Sequence, residues 1–140
     1  MNHAITLIRS TKLSDAAEYA YASTAPASAR FVFVAGACPL NLDGSTAAVG
    51  DYVGQMRKVM ENLNISLNEA GAELSDVVKT TVYVASTDQA DLVAAWEVYR
   101  DYFGDHDPPS TLLGVAALGY DDQLVEVEAV AAVRESSPAT

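Results

Sequence analysis

Hydrophobic positions change period several times along the chain, and each change marks an element. Ala4–Ile8 reads as a short strand and Tyr19–Ser23 as a weaker one, followed by an Ala/Ser/Pro loop from Thr24 to Ala29. Phe31–Gly36 is aromatic and β-branched almost throughout, which predicts a strong strand. Asp43-Gly44 predicts a turn, with the chain returning toward Val49. From Asp51 to Ala70 the period becomes helical. Val53, Met56, Met60, Leu63 and Leu67 recur at steps of three and four, and Gly71 stands where a C-cap glycine belongs. Val77–Ala85 is an unbroken β-branched run. A second helix spans Asp88 to Phe103, with Leu92, Ala95, Trp96, Tyr99 and Phe103 on one stripe, Thr87 or Asp88 as N-cap and Gly104 at its end. Two further strands, Thr111–Leu118 and Leu124–Val133, are joined by Gly119–Asp122.

This order predicts an α+β fold: a mixed β-sheet with two helices on one face, in a single domain over 1–134, with a frayed tail over 135–140. Two helices cover one face of such a sheet. Yet Phe31 and Phe33 oppose Val32 and Val34, and Leu112 and Leu118 oppose Leu113 and Val115, so strands are apolar on both faces. No remaining element covers the second face. A homo-oligomer with the sheets packed inward is therefore expected, because soluble monomers rarely expose large apolar patches.

Composition narrows the function classes. Nineteen acidic against eight basic residues give a net charge of −11, which disfavours nucleic-acid binding and suits a neutral or cationic small ligand. No stretch approaches a membrane span and the N-terminus lacks a signal-peptide pattern, so a cytoplasmic protein with no membrane partner is expected. The single cysteine, Cys38, excludes an intramolecular disulfide and a Cys-rich zinc site, and reads as a small core residue. Asp105, His106 and Asp107 are adjacent on one loop, an arrangement that rarely converges on one ion, so no metal is expected. No phosphate-cradling or Gly-x-Ser-x-Gly motif is present.

The sharpest chemical signal lies in the last strand. Glu126 and Glu128 point to the same face, about 7 Å apart, beside Leu124, Val130 and Ala132. Carboxylates on a half-buried face need partners or shift their pKa, and such places often do chemistry. The plainer alternative is a polar edge lapped by water.

Ala35-Gly36-Ala-Cys-Pro39, Gln55 followed by Asn62-Leu63, Ala70-Gly71-Ala, Asp76-Val-Val-Lys79-Thr-Thr-Val-Tyr-Val84, Tyr102-Phe103, Pro108 and the Glu126–Glu128 strand together resemble the RidA (YjgF-type) family, in order and spacing, from about Tyr21 to Val133. The resemblance implies a chorismate-mutase-like fold, a homotrimer whose sheets line a central β-barrel, and ligand clefts between neighbouring subunits. Active members hydrolyse reactive enamines and imines, such as 2-aminoacrylate, to ketoacids and ammonia without metal or cofactor. Their Pro-Ala-Arg-Ser loop supplies an arginine that pairs with the substrate carboxylate. This chain has Pro108-Pro109-Ser110-Thr111, so Ser110 stands in place of the arginine. A hydroxyl cannot form the bidentate, charge-assisted pair, so recognition of an α-iminoacid should fail or weaken.

By the same resemblance Glu126 is the residue that positions or activates water. Tyr21 corresponds to the cleft tyrosine, with Tyr19 an open alternative. Asp88 stands where many members have asparagine, and Leu112 where many have cysteine. Tyr120, on a longer final hairpin, would reach toward the cleft. The expected function is water addition or hydrolysis at an imine, enamine or related electrophile other than 2-aminoacrylate, with Glu126 catalytic and Ser110, Thr111, Tyr21, Asp88, Leu112 and Tyr120 around the substrate. The alternative is a non-catalytic trimer that binds a small metabolite. RNA cleavage, suggested by the endoribonuclease label of some relatives, is opposed by the charge and by the lack of a basic stripe.

Overall fold

The computed structural model describes residues 3–135. Strands β1 (Thr6–Ile8) and β2 (Ala22–Thr24) pair antiparallel as a small ribbon. The main sheet contains β3 (Arg30–Ala37), β4 (Val77–Val84), β5 (Ser110–Gly114) and β6 (Val125–Val133), in the order β3-β6-β4-β5. Strand β6 runs antiparallel to both neighbours, whereas β4 and β5 are parallel, joined by a crossover through helix α2 (Gln89–Phe103). Helix α1 (Tyr52–Glu69) is longer and lies between β3 and β4 in the chain.

Both helices lie on one face of this sheet. Met56, Met60, Leu63 and Leu67 of α1 and Ala95, Trp96 and Tyr99 of α2 pack with Val82, Val84, Val125 and Val127 in one buried cluster. The opposite face presents Phe31, Phe33 and Leu113 to solvent, with Phe33 78% exposed, beside Tyr83, Glu126, Glu128 and Val130. Nothing within the described residues covers it.

The helix ends follow local chemistry. The Asp51 carboxylate accepts the Gly54 N–H at 3.0 Å as N-cap of α1, and Gly71 adopts φ +82° just beyond the C-cap. Asp88, not Thr87, caps α2 by accepting the Ala90 N–H at 2.9 Å. Replacing Asp51 with alanine is expected to lower stability by about 0.5–2 kcal/mol, read by urea denaturation.

Strand ends depart from the sequence expectation. The segment expected to be extended over Thr111–Leu118 forms a strand only to Gly114. Its ladder partner β4 stops at Val84, the Val115 N–H makes a last bond to Val84, and the chain beyond 84 turns toward α2, so Ala116–Leu118 has no edge to pair with. The first two strands are likewise shorter or shifted, at Thr6–Ile8 and Ala22–Thr24, because only these residues face each other. The expected tail over 135–140 lies, from 136 onward, outside the described residues. No helix is long and apolar enough to cross a membrane.

Candidate active site

The site begins with an irregularity in β3. Val34 pairs with Ala129 and Ala37 with Val127, so Ala35 and Gly36 stand opposite the single residue Glu128. Such a bulge bends the strand and re-aims its neighbours. Here it brings Gly36 against the Glu126 carboxylate: a Cβ on Gly36 would lie 2.4 Å from Glu126 Oε2. Only glycine leaves the carboxylate its place.

Two donors hold that carboxylate. The Cys38 thiol and the Gln123 amide both donate to Glu126 Oε1, at 3.2 and 3.1 Å. Among the described residues no donor reaches Oε2. The holders are themselves pinned by polar residues of α1. Asn62 donates to the carbonyls of Cys38 and Leu40 at 2.9 and 3.0 Å. The fully buried Gln55 accepts the Leu124 N–H at 2.8 Å and donates to the Asp122 carbonyl at 2.9 Å, which ties down the turn leading into β6. Glu128, two residues on, accepts from the Tyr83 hydroxyl.

Burial first, and then the hydrogen bond and charge of Glu126, push the Cys38 thiol up to about 11. It stays a protonated donor at neutral pH. Alkylation of Cys38 by iodoacetamide near pH 7.5 is therefore expected to be on the order of 100-fold slower than that of an unperturbed cysteine. It should quicken in Glu126→Gln, where the charge opposing thiolate formation is gone.

A second cluster lies elsewhere. Tyr19, Tyr21, Trp96, Ser110, Thr111 and Leu112 line a cleft of about 660 Å³ between the start of β5, α2 and the loop ahead of β2. Both candidate tyrosines are there, their rings 6.1 Å apart, and Tyr19 packs edge-on to Trp96 at 6.0 Å. The Ser110 hydroxyl, however, is turned inward. It donates to the Pro108 carbonyl at 2.8 Å, accepts from Thr80 at 2.9 Å and lies 2.8 Å from the Tyr99 hydroxyl. Burial pushes the Tyr99 phenol up to about 12, so this buried network is neutral.

The two clusters do not meet within one protomer. Ser110 is level with Thr80 and Ala129, whereas Glu126 is level with Tyr83 and Leu113. Two inter-strand spacings and three residues separate them, roughly 14 Å between backbone positions, on opposite faces of the sheet. Two other sequence candidates, Asp88 and Tyr120, neither line the aromatic cleft nor bond the Glu126 carboxylate. Asp88 is engaged as the α2 cap, and Asp88→Asn is expected to keep the melting temperature within about 2 °C, because asparagine caps as well as aspartate. Tyr120 is 53% exposed on the last turn, where its N–H bonds Gln123 Oε1.

Sequence reasoning missed Cys38 and Gln123 as partners of Glu126, and Gln55 and Asn62 as their supports. The available signal was a glutamine adjoining the apolar stripe of α1. On the loop before β5, His106 bonds the Val77 carbonyl at 2.8 Å and Asp107 pairs with Arg9, so the two side chains diverge. His3, Glu73 and Asp76 do gather potential ligand atoms within 4.8 Å, but the oxygens of Asp76 already accept from the Glu73 N–H at 2.8 Å and face His3 at 3.1 Å.

Comparison with known proteins points one way. The family model described as Endoribonuclease L-PSP matches residues 11–133. A RutC family protein of Pyrococcus abyssi is 42% identical over 101 residues, covering 72% of this chain and 77% of that protein. A 2-iminobutanoate/2-iminopropanoate deaminase of Rattus norvegicus is 31% identical over 131 residues, covering 94% and 93%. The crystal structure of a Rid family protein of unknown function from Yersinia pestis superposes with a TM-score of 0.84 at 27% identity, covering 93% of this chain and 99% of that one.

Proposed function

Because the chain belongs to the endoribonuclease L-PSP family, the RidA (YjgF-type) group its sequence resembles, we propose that it is a deaminase-type hydrolase of imines or enamines whose substrate lacks an α-carboxylate. The observation that carries this reading is the Glu126 carboxylate, fixed through Oε1 by Cys38 and Gln123, with Oε2 over Gly36 and clear of protein donors among the described residues. An oxygen held that way accepts a hydrogen bond from water and aims it. As water attacks the C=N carbon, its proton passes through Glu126 to the nitrogen. Collapse of the carbinolamine then releases ammonia and leaves the carbonyl product. A named deaminase among the relatives supports this chemistry.

The anchor differs. Ser110 uses its hydroxyl inside the protomer, so the residue in place of the arginine offers a carboxylate neither charge nor fork. Separation of the aromatic cleft from Glu126 supports a site completed across subunits: the outer sheet face of each protomer packs against its neighbours in a homotrimer, bringing one copy's carboxylate to another's cleft. The −11 charge argues against RNA as substrate despite the family's label.

A non-catalytic metabolite-binding trimer is the second reading, favoured by the inward turn of Ser110. Freshly generated 2-aminoacrylate separates the cases. Slow ketoacid release by the wild type, raised in Ser110→Arg, fits the hydrolase with a lost anchor. Fast release by the wild type contradicts it, and no turnover of any imine by either protein leaves the binding reading.

A further inference from the structure

The aromatic cleft carries more information than its missing arginine. Tyr19, Tyr21 and Trp96 line it, and two carboxylates, Glu18 and Glu97, stand in its wall, with no Lys, Arg or His among the lining residues. Three of its neutral donors are already engaged within the protein. The Tyr21 hydroxyl donates to the Ser14 carbonyl, the Trp96 indole N–H donates to Glu18 Oε1 at 3.1 Å, and Ser110 donates to Pro108. An anion entering this cleft would find no cation to pair with. Arg100, which reaches the wall through Glu18, is 2.6 Å from Glu18 Oε2 and already paired. What remains for a ligand is the half-buried Tyr19 and Tyr21 rings, the Tyr19 and Thr111 hydroxyls, the exposed Glu97 carboxylate, and the negative field of a chain with charge −11.

Those are the elements that attract a positive charge. Aromatic rings draw cations to their faces, and a weakly hydrated quaternary ammonium gains most, because little water must be stripped from it. We propose that this cleft binds an organic cation, an alkylammonium or quaternary ammonium group, and that the substrate carries this charge where relatives' substrates carry a carboxylate. The inference rests on the hydrolase reading only in taking this cleft as the substrate's seat. The binding site stands on its own residues. Glu18 is paired with Arg100 and accepts from the Trp96 indole, so Glu97 and the tyrosine rings carry the selectivity.

Isothermal titration of the wild-type protein with three probes tests it: choline, its uncharged isostere 3,3-dimethylbutan-1-ol, and 2-oxobutanoate as the carboxylate. Choline is expected to bind roughly tenfold tighter than the isostere, and 2-oxobutanoate more weakly than either. Choline affinity should fall with added NaCl and in Glu97→Gln and Tyr19→Leu, and should be unchanged in Glu61→Gln, an equal loss of charge on the exposed side of α1. Equal affinity for choline and the isostere, preference for the carboxylate, or no choline binding in the millimolar range would overturn the proposal. Because this readout does not involve turnover, failure of the Glu126 chemistry leaves it standing, and its own failure leaves Glu126 as the water-directing group.

Discussion

Glu126→Gln is expected to lower turnover of an imine substrate by about 10²–10⁴-fold while leaving the fold and ligand affinity intact. Glutamine keeps the length of the side chain, and its carbonyl oxygen can still accept from Cys38 and Gln123, so the turn into β6 and the bulge at Gly36 have no reason to move. What is lost is the charge and basicity of the oxygen that would take a proton from water. Steady-state kinetics should show the loss in kcat with KM nearly constant, the signature of an interaction made only in the transition state. Gly36→Ala approaches the same result by another route: its methyl would sit 2.4 Å from Oε2 and drive the carboxylate away. If turnover survives both changes, Glu126 does not handle the water.

Phe33→Asp is expected to convert the proposed trimer to monomers and to abolish the proposed hydrolysis without unfolding the chain. Phe33 is 78% exposed within a protomer, so the substitution removes little from its own core. In the proposed trimer it would be buried, where a phenyl ring contributes about 1.5–3 kcal/mol per copy. The new carboxylate would also lie diagonal to Glu128, because Phe33 pairs with Val130 on the same face, adding like-charge repulsion. Analytical ultracentrifugation should show the monomer, with far-ultraviolet circular dichroism unchanged. A trimer that persists would place the interface elsewhere. An active monomer would show that the site needs no second subunit.

Legibility from sequence followed the range of the interactions. Both helix ends were readable because Asp51, Gly71, Asp88 and Gly104 act on backbone groups a few residues away. The end of β5 was not, because Gly114 stops pairing only where β4 stops, thirty positions earlier in the chain. The uncovered face was readable from alternation, which places Phe31 and Phe33 opposite Val32 without any knowledge of partners. The setting of Glu126 was half readable: its face came from periodicity, but its donor Cys38 is 88 residues distant and looked like a small core residue. Ser110 was identified by what it replaces. Only the fold shows that its hydroxyl faces Thr80 and Tyr99.

In the proposed reaction Glu126 directs water onto a C=N carbon in a site with no grip on α-carboxylates. The most direct test is carbonyl and ammonia release from two imines made in place, one by an amine oxidase from a primary amine and one by an amino acid oxidase from the matching amino acid. The wild-type protein is expected to accelerate the first more than the second, and Glu126→Gln to accelerate neither. Faster hydrolysis of the α-iminoacid, or equal rates from wild type and Glu126→Gln, would contradict it.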